Sequence, residues 1–418
     1  MDISLFQFSV AGASGSSEIH GKFDAPPAAR FAVGRGIPAP LQKLTATSAN
    51  LDFLRSFAVL LVVGFHLAKF FNWRFGNLRV TDFGLLGVML FFVHTTLVLM
   101  FSLERQRGDR GASLFVPFMI RRCFRIYPLA ILVVTFVYLF RIPSDLQFGR
   151  FNLLHQSAGN LAANLLLIQN FTLQKANPGI LWSLPLELQM YLILPGLFLF
   201  VSKAKPLWAP IAFWWLAVAL WFAAGYAAGV LPLSEGGIRS PMEALLKFTR
   251  FAPCFLPGIV AYKLWHGPRF LAASLWPVFL VLCCAAFMRL SGSQPIETGW
   301  FICFAIGLGM CAFREMPENH FTRLTKRIAQ YSYGIYLLHY FAIWVGFVVC
   351  RSLNLALQFA IFGAVLTSLS VILYHAVEAP LIRSGVKISG KFKNIPHAVE
   401  FKSRSHEHAT QIHSEPVR

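Results

Sequence analysis

Charged side chains are scarce in this sequence. Only 13% of its 418 residues are Asp, Glu, Lys or Arg, and 56% are hydrophobic, with 42 Phe among them. An average soluble protein has about 25% charged residues. A chain this apolar cannot cover its own surface in water. Apolar runs of about 20 residues, enough to cross a bilayer core, recur between residues 51 and 377. The composition therefore predicts an all-α polytopic membrane protein.

Signals of several other protein classes are missing. No Cys-x-x-Cys or Cys/His spacing indicates zinc, and we expect no metal site. The 7 cysteines lie mostly inside apolar runs, where small buried side chains are the simpler interpretation. No nucleic-acid-binding motif accompanies the formal charge of +19. Lys and Arg collect in the cytoplasmic loops of membrane proteins, so we attribute the charge to this bias and expect no nucleic-acid partner.

The two ends of the chain differ from its hydrophobic centre. Residues 1–48 are rich in Ala, Gly, Ser and Pro and lack the pattern of a signal peptide, so we expect a disordered cytoplasmic tail. Residues 383–418 are polar and basic, and we expect a second cytoplasmic tail there. Residues 49–382 are expected to form the membrane domain, in which no internal repeat or separate soluble domain is evident.

The apolar runs predict about ten transmembrane helices. An additional candidate, residues 158–173, has polar flanks. If this segment does not cross and the N-terminus is cytoplasmic, more Lys and Arg fall in the inside loops than in the outside loops. We therefore predict ten crossings, both termini cytoplasmic, and a multi-pass protein of the inner (cytoplasmic) membrane. The predicted spans are about 51–72, 83–103, 126–140, 185–202, 208–231, 248–265, 270–289, 297–313, 328–350 and 355–377.

The first predicted span carries three polar side chains on one face. His66 follows Arg55 by three helical turns plus about 20°, which places it about 16 Å further from the cytoplasm. Asp52 lies within about 40° of the same line. Ionisable residues inside a membrane are costly unless they are paired or in contact with water. The polar stripe of Asp52, Arg55 and His66 therefore predicts a site facing the bundle interior. These residues alone fit equally well a structural Asp–Arg pair plus an interfacial histidine.

A basic segment, FMIRRCFRIYP, follows at residues 118–128. Arg121, Arg122 and Arg125 share one face if the segment is helical. Guanidinium groups bind phosphates in bidentate fashion, which makes a phosphate clamp one interpretation. Positive-inside anchoring, which requires no site, is the other.

Acidic, aromatic and imidazole side chains occur in three later segments. In LWSLPLELQMYLILP, Ser183 is a candidate N-cap and Glu187 lies in the first helical turn. Glu187 could face the same cavity as His66 or simply complement the helix dipole. YSYGIYLLH places Tyr333, Tyr336 and His339 in one span, and VEAP places Glu378 at the inner end of the last span. His94 is a further intramembrane imidazole, and such a lone residue more often bonds a neighbouring helix than catalyses a reaction.

In this order, the segments resemble the acyltransferase-3 family of membrane O-acyltransferases. The resemblance covers about residues 50–382. It rests on five motifs: L-D-x-L-R followed by a His that ten intervening residues separate from the Arg (Arg55, His66); R-x-x-R-I-x-P (Arg122, Arg125, Pro128); W-S-L-x-x-E (Trp182, Ser183, Leu184, Glu187); S-Y-x-x-Y-L-x-H (Ser332, Tyr333, Tyr336, Leu337, His339); and E-x-P (Glu378, Pro380).

The sequence departs from the family pattern at three places. Thr95 and Thr96 stand where the second helix of the family has Ser and Gly, so a close helix contact is in question. Leu188 replaces a second acid after Glu187. The hydrolase-like outer domain of some members is missing, and we expect the membrane domain to act alone.

The resemblance implies an acyl donor, most often acetyl-CoA, that enters from the cytoplasm, and no permanently bound cofactor. The implied acceptor is a hydroxyl of a cell-surface or lipid-linked carbohydrate or glycolipid. His66 would act as general base or transient acyl carrier, and Glu187 would orient His66 or the acceptor. Arg55, Arg122 and Arg125 would bind the donor phosphates, with Asp52 as the ion-pair partner of Arg55. Supporting positions are Trp182, Ser183, Tyr333, Tyr336, His339 and Glu378.

A transporter is the main alternative. Intramembrane Arg, His and Glu are also what a proton-coupled transporter or flippase of a glycolipid or polysaccharide precursor needs. A non-catalytic membrane scaffold is a third hypothesis, which predicts that replacing Arg55 or His66 has no effect.

Overall fold

The computed structural model describes residues 48–73, 80–106, 111–143, 145–147, 150–152, 157–203, 206–227 and 241–392. Most of the two predicted tails lies outside these ranges. The α-helices are α1 (Ala49–Phe70), α2 (Val80–Glu104), α3 (Ala112–Leu139), α4 (Ala158–Leu165), α5 (Leu184–Lys203), α6 (Trp208–Ala227), α7 (Pro241–Phe255), α8 (Pro257–Leu264), α9 (Leu275–Leu290), α10 (Pro295–Gly309), α11 (His320–Ile343), α12 (Leu355–Leu373) and α13 (Ala379–Lys391).

Short irregular elements join or extend some of these helices. A 3₁₀ helix, Gly179–Ser183, leads directly into α5. π-helical turns extend α11 over Trp344–Val349 and connect α12 to α13 over Tyr374–Glu378. Two short antiparallel strands, β1 (Asp145–Gln147) and β2 (Arg150–Asn152), pair Leu146 with Phe151. The architecture is therefore a helical bundle with one small hairpin in the described residues.

Seven helical segments of the described residues are long and apolar enough to cross a membrane, which confirms the multi-pass class. The number ten stays a prediction, because α9 and α10 are apolar but shorter. The predicted span 248–265 is divided into α7 and α8, with Pro257 in the first turn of α8. The seven segments are Ala49–Phe70, Asp82–Glu104, Ser113–Leu139, Gly179–Lys203, Trp208–Ala227, His320–Val349 and Leu355–Lys391.

The segment 158–173 does not form a spanning helix. Its helix α4 has 8 residues, about 12 Å at 1.5 Å per residue, and the chain then continues through turns. Buried amides hold this connection together, because Asn164 donates to the carbonyl of Lys175 at 3.0 Å and Gln169 donates to that of Leu181 at 3.1 Å. The segment thus packs as an irregular connection before the 3₁₀ helix.

The beginning of α1 is fixed by a polar cluster around Glu315. Ser48 caps the helix by accepting from the amide of Leu51, and its hydroxyl donates to Glu315 at 2.9 Å. Arg269 donates to the same carboxylate at 2.5 Å. One turn into the helix, Ser56 donates to the carbonyl of Thr325 on α11 at 2.6 Å. These bonds hold α1 in the bundle with one orientation of its polar stripe.

Helices α2 and α8 pack unusually close together. A Cβ atom at Gly258 of α8 would lie 2.5 Å from the carbonyl oxygen of Val93 and 2.7 Å from the Cβ of Thr96. The family pattern has its small residue on the second helix, where this chain has Thr96. Here the facing helix supplies the glycine, so the close contact is retained although Thr96 is not small.

We expect Gly258→Ala to destabilise the protein by about 1–3 kcal/mol, the usual cost of overpacking a buried contact. Two of the three nearest atoms belong to the backbone of α2 and the third is the Cβ atom of Thr96, so none of them can rotate away. The melting temperature in detergent measures the effect. Gly64→Ala is the matched control, because nothing lies within 4 Å of a Cβ there, and Ala is favoured over Gly in a helix. Equal melting temperatures for the two variants would contradict the account.

Candidate functional site

A cavity of about 360 Å³ lies inside the bundle, between α1, α2, α3, α5, α11 and α13. One face of α2 supplies an apolar wall with two polar side chains, and the other helices supply mostly charged and hydroxyl groups. The residues that line it are Arg55, Val88, Phe91, Phe92, His94, Thr95, Val98, Leu99, Arg121, Arg122, Arg125, Ile126, Ser183, Leu184, Glu187, Tyr191, Ser332, Tyr333, Tyr336, Ile382 and Val386.

Four arginines give the cavity an excess of positive charge. Arg125 forms an ion pair with Glu378 at 2.5 Å, and the Glu378 side chain is buried. Arg55 and Arg122 form no ion pair or hydrogen bond with any other described residue, and the Nε atom of each is buried. Buried charges are normally paired. The two guanidinium groups therefore make the cavity suited to an anionic ligand.

Glu187 reaches the cavity because of how α5 begins. The 3₁₀ helix passes into α5 with Pro185 in its first turn, where proline is well tolerated, and Glu187 lies in the same turn. The hydroxyl of Tyr191, one turn further, donates to the Glu187 carboxylate. Ser183 lies just before α5, but its hydroxyl bonds the hydroxyl of Tyr336 at 2.8 Å.

The tyrosines of α11 attach that helix to its neighbours across the cavity. Tyr336 donates to the carbonyl of Ile180 at 2.7 Å, and Tyr333 donates to the carbonyl of Ile126 on α3 at 2.6 Å. Both side chains line the cavity. The S-Y-x-x-Y motif thus joins the basic segment of α3 to the segment that presents Glu187.

His66 lies beside the cavity rather than in its lining. Its ring is 4.7 Å from that of His339 between centroids, and His339 is 6.1 Å from the ring of Tyr336, which does line the cavity. The expectation that His66 and Glu187 face one cavity is not met in this structure. Three turns of α1 separate His66 from Arg55, and of these two residues only Arg55 lines the cavity.

The hydrogen bonds of the two histidines identify their tautomers. A carbonyl oxygen only accepts, so Nδ1 of His66, 2.9 Å from the oxygen of Val62, carries the proton. The same argument applies to Nδ1 of His339, 3.2 Å from the oxygen of Ile335. Each neutral ring therefore keeps a lone pair on Nε2, which is what a general base needs.

The predicted ion pair between Asp52 and Arg55 is wrong. Neither residue forms an ion pair in the described part of the chain. Asp52 lies in the first turn of α1, where a carboxylate is favoured by the helix dipole, and is half-buried. Arg55 instead contributes to the cavity lining. The i,i+3 spacing allows a pair but does not require it when one side chain turns inward.

Trp182 also lies outside the lining. The Lys247 ammonium is 5.3 Å from the centre of its ring, and the ring of Phe251 is 5.4 Å away. Five polar or charged lining residues were not among the predicted site residues, namely His94, Thr95, Arg121, Tyr191 and Ser332. The spacing of Tyr191 four residues after Glu187 was a usable signal, because such residues are neighbours on a helix. Arg121 belonged to the basic cluster but to no motif.

The bundle and its cavity define a multi-pass membrane protein with a polar, cation-rich internal site. The acyltransferase-3 family model, described as an acyltransferase domain, matches residues 48–375. The chain belongs to this family. This confirms the resemblance found from the five motifs.

Two curated relatives are similar along most of the chain. The relative named "Putative peptidoglycan O-acetyltransferase YrhL", from Bacillus subtilis (strain 168), is 27% identical over 391 residues, covering 85% of this chain and 58% of the relative. The peptidoglycan O-acetyltransferase OatA of Listeria monocytogenes is 25% identical over 319 residues, covering 70% of this chain and 48% of the relative. The chain thus spans about half the length of these relatives. No solved structure matches it significantly.

Proposed function

We propose that this protein transfers an acyl group, in the simplest case acetyl, from cytoplasmic acyl-CoA to a hydroxyl of a cell-surface or lipid-linked carbohydrate. The observation that carries the proposal is a pair of guanidinium groups, Arg55 and Arg122, that line the cavity of a member of an acyltransferase family and form no ion pair or hydrogen bond with any described residue. Coenzyme A carries several phosphate charges, and guanidinium groups are the protein's best phosphate ligands.

The donor is assigned to the Arg-lined part of the cavity. Arg125 is held by Glu378, and the hydroxyl of Ser389 on α13 accepts from Arg121 at 3.3 Å. These contacts keep two of the four guanidinium groups in place, while Arg55 and Arg122 are available to the phosphates. The apolar face of α2 then provides a surface for the uncharged arm of the donor.

The acceptor is assigned to the side of the cavity near Tyr336, His339 and His66. Nε2 of His66 would take the proton of the attacking hydroxyl, and Glu187 would orient the acceptor. The names of the two relatives support a carbohydrate acceptor. We further propose that both termini are cytoplasmic and that the protein resides in the inner membrane, so that the Arg-lined part faces the source of acyl-CoA.

Incubation of the purified protein with acetyl-labelled acetyl-CoA tests this function. We expect the thioester to be cleaved and the label to appear on an added surface glycan or lipid-linked glycan. A proton-coupled carrier, the alternative, would leave the thioester intact. Protein carrying His66→Ala is the control for contaminating thioesterases. An intact thioester in the presence of folded wild-type protein and acceptor would contradict the proposal.

A further inference from the structure

His94 is an imidazole in the cavity wall that the proposed reaction does not yet use. It is 6% exposed and lies on the face of α2 that lines the cavity. Its ring forms no hydrogen bond with any residue that the structure describes. In contrast, His66 and His339 each donate Nδ1–H to a carbonyl of their own helix.

The ring nitrogens of His94 are open to the cavity. The surrounding protein does not fully enclose either nitrogen. In contrast, Nε2 of His339 is enclosed and has no hydrogen-bond partner. A buried polar group without a hydrogen bond costs free energy, so an unpartnered imidazole beside an internal cavity is suited to bind a ligand there. An apolar side chain at this position would avoid that cost.

The neighbours of His94 indicate which part of the ligand it contacts. Arg55 and Arg122 supply the charge that suits phosphates, and Val88, Phe91 and Phe92 form an apolar wall on the same helix as His94. A thioester joins an apolar acyl group to the arm that leads to the phosphates. His94 lies in the lining together with residues suited to both ends, and a neutral imidazole has one N–H to donate.

We propose that His94 donates this N–H to the thioester carbonyl oxygen of the acyl donor, which makes it a further catalytic residue. The inference rests on the proposed function. When the acceptor oxygen attacks, a C–O bond forms and an electron pair moves onto the carbonyl oxygen. The hydroxyl proton passes to His66. Collapse then breaks the C–S bond, and the thiolate leaves and takes up a proton from His66. His94 keeps its own proton and stabilises the oxyanion throughout.

Two substitutions at this position test the role. We expect His94→Leu to lower kcat about 10²–10³-fold, the effect of losing one oxyanion donor, with KM for acetyl-CoA changed less than about threefold. His94→Gln keeps an N–H donor, and we expect it to recover most of the lost rate. The melting temperature of His94→Leu is expected to equal or exceed that of wild type, since the variant removes an unpartnered polar group. His375→Leu, at an exposed position bonded to Tyr331, is the matched control.

A His94→Leu protein with the wild-type kcat would overturn the inference. So would a His94→Gln protein as slow as His94→Leu, since the hydrogen-bond donor would then have no effect. These results are distinct from failure of the proposed function. In that case wild type itself leaves acetyl-CoA intact, whereas here wild type is active and only the dependence on His94 fails.

Discussion

Replacement of His66 by Ala is expected to abolish acetyl transfer, with kcat lowered about 10²–10⁴-fold, the usual contribution of a general base. Nδ1–H of His66 is engaged by the carbonyl of Val62, so the ring is held with Nε2 as its basic atom. His339 is the other described histidine whose Nδ1 donates to a carbonyl of its own helix, but its Nε2 is enclosed by protein. The rate of glycan acetylation at saturating acetyl-CoA measures the effect.

His375→Ala is the matched control for His66→Ala. His375 also lies on the hydrophobic part of the chain, but it is exposed and contacts Tyr331 at 3.3 Å, away from the cavity lining. We expect it to keep wild-type activity. Normal acetyl transfer by a folded His66→Ala protein would refute the role of this residue as base or acyl carrier.

Replacement of both Arg55 and Arg122 by Met is expected to lower kcat/KM for acetyl-CoA about 100-fold or more. A hydrogen bond to a charged group contributes about 1.5–3 kcal/mol, and the double variant removes at least two such contacts to the donor. Neither side chain forms an ion pair or hydrogen bond with a described residue, so their removal breaks no such bond to a buried carboxylate. The fold should therefore persist, and the melting temperature checks this.

The donor itself provides the sharper comparison for this double variant. S-Acetylpantetheine transfers the same acetyl group but has no phosphate. Wild type and the double variant should use it at equal rates, both slowly. Arg323→Met, which changes an exposed arginine of α11, should behave as wild type with both donors. An equal loss with both donors would show that the arginines support the fold or the chemistry and do not bind phosphate.

Much of the helical architecture follows from the apolar runs of the sequence. The apolar runs predict helices that the structure contains. Side chains that face lipid must be apolar, and a helix satisfies the hydrogen bonds of its own backbone. Helix ends were less predictable. The short apolar run 126–140 predicts a helix that begins earlier, through the basic segment 118–128, and α3 does so, whereas no such signal predicts that the last span continues as α13.

The sequence predicted most of the charged residues of the candidate site but not the position of His66 relative to the cavity. Motif spacing placed Arg55, Arg122, Arg125 and Glu187 on inward faces, and the structure brings these four to one cavity. His66 does not line this cavity. The extent of a cavity depends on the packing of large side chains from six helices, which the pattern of one helix does not specify. The ion pair expected for Asp52 is absent because i,i+3 spacing permits such a pair without requiring it, and Arg55 lines the cavity instead.

Contacts between distant segments were beyond the reach of single-helix patterns. Nothing in the sequence around Thr96 shows that Gly258, on another helix, supplies the space that Thr96 takes up. A lone intramembrane histidine is usually bonded to a neighbouring helix. Only the packed bundle reveals that His94 forms no such bond with a described residue and lines the cavity instead.

The most direct test of the central claim is a comparison of surface glycans by NMR. Cells without this protein should lack an O-acyl resonance that cells with it have. Expression of the wild-type chain should restore that resonance, and expression of the His66→Ala chain at the same level should not. Identical glycan spectra with and without the protein, or restoration by His66→Ala, would contradict the account.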